Sequence, residues 1–245
     1  VQTPEEDSKG YRIVQTEQAV FAAIGHATHF RYPFVYGPYQ PVPREWCIVR
    51  RIRDQRPFII LPDGGLSLHS YGYAENLAHA ILLAADNPNI AQGQIYNCAD
   101  EECLSLYQVT DVISKALDHS WEIVCLPQQF ALPALPLQGQ PQTTHRLLDI
   151  SKIKQQLGYR DIVKPSTALA RTAQWLMDHP PQPDGMEEMV LQDPFDYTAE
   201  NAIFAAWQTL SANMPDASVF AKAPQVGMAY SGPGGRERSQ THYKS

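Results

Sequence analysis

The chain has 245 residues and a formal charge of −7 at pH 7. That length can bury a real core in one or two domains, and the acidic balance argues against a nucleic-acid surface, which needs a basic patch. No apolar run reaches membrane-spanning length and no signal-peptide pattern opens the sequence. Four scattered cysteines, Cys47, Cys98, Cys103 and Cys125, make no Cys-x-x-Cys pair and fit a reducing compartment, so a cytoplasmic location is expected.

Lys9 to Ile24 reads as a helix, because Ile13, Val14, Glu17, Val20, Phe21 and Ile24 recur at helical spacing. Gly25 is a suitable terminator. Thr28 to Tyr32 reads as a strand that breaks at Pro33, and Gly37-Pro38 then turns the chain. A strand whose C-terminal end opens into an aromatic-rich turn is where open α/β sheets bind ligands. An ordinary strand exit with packed tyrosines is the alternative. Pro41-Val-Pro43 keeps the chain extended, and Arg44 to Gln55 reads as a helix. It carries the basic cluster Arg50-Arg51-Ile-Arg53, close to Arg44 and Arg56. That cluster is either a solvated helix face or an anion site for a phosphorylated ligand, since guanidinium matches phosphate geometry.

Phe58 to Leu61 is a short strand, Pro62-Asp-Gly-Gly65 a turn, and Leu66 to Tyr71 alternates as a strand would. Tyr73 to Ala85 is a helix with Leu77, Ala80, Ile81 and Ala84 in one stripe, closed by Asn87-Pro88. Gln94 to Cys98 and Trp121 to Leu126 read as strands, and between them Ser105 caps a helix from Leu106 to Leu117. The four prolines within Pro127 to Pro141 indicate an ordered loop rather than a helix. Asp149 is placed to cap a helix from Ser151 to Leu157, and Pro165 sits in the first turn of one running to Met177. Pro180 to Gly185 has linker composition, Phe195 to Leu210 reads as a further helix, and the tail from about Ala223 reads as disordered. Cys47 and Cys125 are expected to be buried, while Cys98 and Cys103 are open. His26 and His29 have no Cys, Asp or Glu at metal spacing, so no metal site is expected.

Arg31-Tyr-Pro-Phe-Val-Tyr-Gly-Pro38 resembles the segment after the sixth Rossmann strand of the extended short-chain dehydrogenase/reductase family, the NAD-dependent epimerases and dehydratases. Further pieces follow in that family's order. Asp63-Gly-Gly65 precedes the helix at Tyr73-Ala-Glu-Asn-Leu-Ala. Gly93-Gln-Ile-Tyr-Asn97 resembles its Gly-x-x-Tyr-Asn strand. Asp149-Ile-Ser-Lys152 with Leu157-Gly-Tyr159 resembles its Asp-x-Ser-Lys and Leu-Gly-aromatic segments. The resemblance runs from about Gly10 to His179.

The resemblance implies an α/β fold: the C-terminal part of a Rossmann-like doubly wound sheet plus a small α/β substrate lobe. It implies NAD or NADP as cofactor, a small-molecule or nucleotide-linked substrate, and a homodimer through the helix containing Tyr11. Tyr32, Pro33 and Tyr36 would form the nicotinamide-side turn, and Phe34, His69 and Arg146 would meet substrate. Phe34 stands where many members carry Asn, and His69 where many carry the Arg of Arg-Asp-Phe. Glu75-Asn76 takes the place of an Asp-Asp pair and reads as bracing its helix. Tyr11 is the candidate acid/base, yet Gln15 occupies the lysine place of Tyr-x-x-x-Lys, and the other register puts Lys9 and Ile13 there. A neutral amide cannot stabilise tyrosinate.

No strand followed by Gly-x-x-Gly-x-x-Gly occurs, so the phosphate-cradling turn is expected upstream, in a longer parent protein. The expected organisation is residues 1–179 as the epimerase/dehydratase-like domain, 180–222 as linker and added helix, and 223–245 as tail. Two functions are in view: an epimerase, dehydratase or reductase, or a cofactor-sensing binding protein that has lost catalysis. RNA binding, the third possibility, conflicts with the acidic balance.

Overall fold

A computed structural model describes residues 8–222. The helix expected at the start is α1 (Ser8–Ala23), and it ends without a left-handed Gly25. Pro33 then splits one extended stretch into β1 (His29–Arg31) and β2 (Phe34–Tyr36). Proline has no N–H to give a ladder, and the two halves pair with different partners. The sequence pattern showed the break but not the second strand.

The remaining elements are α2 (Trp46–Arg53), β3 (Phe58–Pro62), β4 (Tyr71–Tyr73), α3 (Ala74–Asp86), α4 (Pro88–Ala91), β5 (Ile95–Asn97), α5 (Leu106–Ala116) and β6 (Glu122–Leu126). After them come α6 (Leu135–Gln138), α7 (Ser151–Leu157), α8 (Pro165–Asp178), α9 (Met186–Leu191) and α10 (Tyr197–Ala212). Strands pair in parallel as β1 with β5, β2 with β4, and β3 with β6. This is the α/β architecture expected from alternating strands and helices.

Contacts divide the chain into two units, Val1–Glu200 and Asn201–Ser245. In the first, all five residues of β3 are buried, as a parallel strand covered on both faces requires. Ile59 and Leu61 pack with Ile48, Val49 and Ile52 of α2, Val109 and Ile113 of α5, and Leu169 of α8. A second cluster joins Tyr96 and Cys98 to Leu77, Ala80 and Ala84 of α3 and Ile153 and Leu157 of α7. The capping box at Ser105 is complete, with Gln108 returning a hydrogen bond to the Ser105 N–H. Of the second unit, the described residues comprise the rest of α10 and a short 3-10 turn at Ala217–Val219. The tail from Ala223 lies outside the described residues.

Several expectations need correction. Leu66 to Tyr71 is not a strand: it makes single bridges at Leu68 and His69, and the ladder begins only at Tyr71. The proline-rich loop folds into short helical turns, because proline is tolerated at the first positions of a helix. Residues 186–191 add a helix that the linker composition hid. Cys98 is fully buried and Cys125 partly exposed; all four cysteines are free.

In the basic cluster on α2, Arg53 is exposed, whereas Arg50 and Arg51 are engaged by carboxylates of this chain rather than left for a ligand. Arg51 is 3% exposed, and its guanidinium donates to Asp193 at 2.7 Å and to Glu200 at 2.5 Å. Arg50 donates to Glu188 at 2.6 Å, and the same carboxylate oxygen accepts the Trp46 indole N–H at 2.7 Å. Arg56 reaches Glu200 at 3.8 Å and lies over the Tyr197 ring. The carboxylates come from residues 188–200, far along the chain, which is why no local pattern announced them.

Candidate functional site

The break at Pro33 leaves a gap where β1 and β2 diverge toward different partners. A cavity of about 580 Å³ opens there. Tyr32 and Pro33 line it from the break, Phe34 from β2, His69 from the segment before β4, and Arg146 from the segment before α7. Five of the residues singled out in the sequence therefore meet in one place.

Each is positioned by a definite contact. The Arg146 N–H donates to the Leu68 carbonyl at 2.9 Å, and the Arg146 carbonyl accepts the Ser70 N–H at 2.8 Å, so its backbone is laddered to the His69 segment. His69 Nε2 lies 3.0 Å from the Thr144 carbonyl and 2.8 Å from the Gln140 amide nitrogen. Burial, reinforced by Arg146 and Arg44, lowers the His69 pKa, so the ring is neutral near pH 7 and offers a hydrogen bond without a charge. Tyr32 stacks on Phe30 with centroids 5.9 Å apart, and partial burial pushes its hydroxyl up to about 12. Phe34 meets Tyr71 edge to face at 5.9 Å.

Arg44, Lys9 and Gln138 also line the cavity, and none was singled out as a site residue. Arg44 precedes α2 rather than riding on it, and its guanidinium lies 4.1 Å above the Phe34 ring. Its other side packs on Gly139, whose φ is +66°; a Cβ there would come within 2.5 Å of the Arg44 guanidinium carbon. The sequence signal for Arg44 was weak: an arginine beside other arginines.

Electrostatically the cavity is one-sided. Lys9, Arg44 and Arg146 line it, and among the described residues no Asp or Glu does. Among the described residues no carboxylate lies within salt-bridge distance of Arg44 or Arg146. On a chain with net charge −7 this is a local reversal of sign. Such a site attracts anions, and arginine holds phosphate or carboxylate through paired donors.

Tyr36 and Tyr11 are elsewhere. Tyr36 is 1% exposed and its hydroxyl donates to Asp100 Oδ2 at 2.9 Å. The other Asp100 oxygen accepts from the Tyr73 N–H at 3.0 Å and from Asn76 Nδ2 at 2.9 Å. Asn76 in turn donates to the Val163 carbonyl and accepts the N–H groups of Ile162 and Val163. The Tyr36–Asp100–Asn76 network joins β2, β4, α3 and the approach to α8. Tyr11 does not line the cavity, although Lys9 does. Two residues apart on a helix, they face different directions. Gln15 is exposed, and α1 is held instead by Glu17, which accepts a forked pair from Arg31 at 2.7 and 2.8 Å and approaches His29 at 3.4 Å. Among the described residues no group of three His, Cys, Asp or Glu could hold a metal ion, and no helix is long and apolar enough to cross a membrane.

No protein-family model matches the chain. An uncharacterized protein, YbjS of Escherichia coli (strain K12), is 27% identical over 177 residues, which covers 62% of this chain and 50% of that protein. The chain thus spans about half the length of this relative. Among solved structures, Pal from Bacillus thuringiensis superimposes with a TM-score of 0.54 at 17% identity, covering 73% of this chain and 55% of that one. A UDP-glucose 4-epimerase with UDP-glucose, from Thermotoga maritima, superimposes with a TM-score of 0.52 at 19% identity, covering 69% and 52%. At such identities the likeness is one of fold, and the chain has the Rossmann-like α/β architecture of those proteins over the part they share.

Proposed function

We propose that this chain is the substrate-binding part of an NAD(P)-dependent epimerase, dehydratase or reductase-like protein, and that its ligand is anionic, in the manner of a nucleotide-linked small molecule. The observation that carries this is the cavity itself, lined by Lys9, Arg44 and Arg146 and, among the described residues, by no carboxylate. Arg44, held between Phe34 and Gly139, is presented in one orientation and so loses little freedom on binding. Arg146 would take the opposite end of the same anionic group, and neutral His69 would donate or accept a single hydrogen bond.

The residues present fit only one side of a dinucleotide. Tyr32 and Pro33 offer a flat, largely apolar edge for a nicotinamide ring, whereas the sequence contains no phosphate-cradling glycine turn. Under this proposal that turn comes from outside these 245 residues. The cofactor, when bound, supplies hydride exchange with a substrate carbon. This chain binds and orients the substrate and keeps water from it. Tyr71, which lines the same cavity with its hydroxyl pushed up to about 12, stays protonated and can donate a hydrogen bond.

A second function is favoured by one specific observation: Tyr11 is off the cavity and Gln15 is exposed. A binding protein or subunit without chemistry would need neither. Titration with NAD(H) and NADP(H), followed by nicotinamide fluorescence, and then addition of nucleoside diphosphate sugars separates the two. A redox change on addition supports the enzyme. Binding without one supports the sensor, and no anion binding at all removes both. Unchanged turnover in Tyr11→Phe would remove Tyr11 from the chemistry.

A further inference from the structure

Gln138 is the last residue of α6, lines the cavity, and is 1% exposed. Neither its amide nitrogen nor its amide oxygen has a hydrogen-bond partner among the described residues. The same holds for Oε1 of Gln140 and Oγ1 of Thr143 on the loop that follows. Buried polar atoms without partners are rare and destabilising. Four such atoms fall between residues 138 and 143, beside the cavity that Gln138 lines.

The position of the amide narrows its use. Gly139 immediately follows, and Arg44 packs directly against it. A ligand whose anionic group rests on Arg44 would lie beside the segment that carries residue 138. A carboxamide carries a donor and an acceptor side by side. It pairs best with an uncharged edge that offers the complementary pair, and it gains little from a phosphate, which only accepts. The Gln140 amide, tied through its nitrogen to His69 and the Thr144 carbonyl, leaves its own oxygen as a further acceptor on the same loop.

We infer that Gln138 is a specificity-determining residue, whose carboxamide hydrogen-bonds an uncharged donor–acceptor edge of the ligand, such as that of a nucleobase, while Arg44 and Arg146 hold its anionic part. This rests on the anion-site proposal above, and the two can fail separately. A polar group kept for a ligand is satisfied only in the complex, so it weakens the free protein and sharpens discrimination between ligands.

The test is calorimetric titration of the protein with inorganic pyrophosphate and, separately, with UDP, dTDP, CDP, ADP and GDP. The best nucleotide is expected to bind at least about tenfold tighter than pyrophosphate. Gln138→Leu should bring that nucleotide to within about threefold of pyrophosphate, and hold or raise the Tm of the ligand-free protein. Gln138→Met, unbranched, should do the same and guards against a local misfit of leucine. Pyrophosphate binding with no nucleotide preferred, or a preference that survives both variants, overturns the role of Gln138 and leaves the anion site standing. A fall of several degrees in Tm in both variants makes Gln138 a structural residue and also overturns it. If the wild-type protein binds neither pyrophosphate nor any nucleotide, the anion site falls and this inference with it.

Discussion

Two sets of arginines, one of which includes Arg44 a few residues before the other in sequence, have opposite circumstances. Arg50, Arg51 and Arg56 are engaged by Glu188, Asp193 and Glu200, and Arg51 is sealed from solvent. Arg44 and Arg146 face a cavity with no carboxylate on its walls among the described residues. The first set fastens residues 188–200 to α2; the second is left with charge to offer. A run of like charges in a sequence is therefore no guide to which member is free. What decides it is the position of the acids, and these arrive from more than a hundred residues away.

The sharpest way to break this contrast is to remove Arg51. Arg51→Met leaves Asp193 and Glu200 buried without their guanidinium, and stability should fall by about 3–5 kcal/mol in denaturant unfolding. If the loss is under about 1 kcal/mol, the clasp is ornamental and the contrast collapses. The triple change Arg51→Met, Asp193→Asn, Glu200→Gln should recover part of the loss, since it removes the stranded charges together.

A neutral hub provides the next step. Asn76 is fully buried and makes four hydrogen bonds, to Asp100, to the Val163 carbonyl, and from the N–H groups of Ile162 and Val163. Asn76→Ala should cost roughly 2–3 kcal/mol in the same measurement, less than the ionic clasp because no full charge is stranded. A cost equal to that of Arg51→Met would mean that charge is not what distinguishes the α2 region.

The cavity arginines should behave in the reverse way. Arg44→Gln and Arg146→Gln should each weaken pyrophosphate binding about tenfold, which corresponds to about 1.4 kcal/mol. Unfolding free energy should change by no more than about 1 kcal/mol, because among the described residues neither side chain pairs with a carboxylate and Arg44 gives up chiefly its stacking on Phe34. A large drop in stability with unchanged binding would place these arginines with Arg51.

Much of the fold was legible because its signals are local. Ser105 with Gln108 marked a helix start that the structure reproduces as a full capping box. Pro33 marked the strand break. The cavity was half legible: Tyr32, Phe34, His69 and Arg146 were singled out by motif and do meet. What stayed hidden depended on distant partners. Arg44 is held at the cavity wall through Phe34 and Gly139, on either side of it in space but far apart in the chain. Tyr36 stood in the same motif as Tyr32, yet the Asp100 carboxylate claims its hydroxyl. Phe34 and Tyr36 lie two apart on β2, so alternation alone would give them one face; it is the carboxylate sixty-four residues further on that separates them.

The last comparison concerns carboxyls. Asp193 and Glu200 have Arg51, whereas among the described residues Asp161 has no cation within salt-bridge distance. It accepts from the Tyr159 hydroxyl and from the Glu101 N–H, each at about 3 Å. Burial, and then the nearby Asp100, push its pKa up to about 6 from an ordinary 3.8. The sign follows from linkage. A carboxyl whose pKa is higher folded than unfolded binds more protons in the folded state across that interval, so its contribution favours folding below it and is lost as pH rises from about 4 to about 6. Asp161→Asn should therefore gain stability relative to wild type over that window. The side chain is only half-buried, so solvent screening should keep the gain below about 1 kcal/mol. Thermal unfolding of both proteins at pH 4, 5, 6 and 7 checks it: the difference in Tm should grow with pH and level off near pH 7. A difference that shrinks with pH would mean that Asp161 behaves as a paired carboxylate, with a cation partner in solution that the folded geometry does not supply.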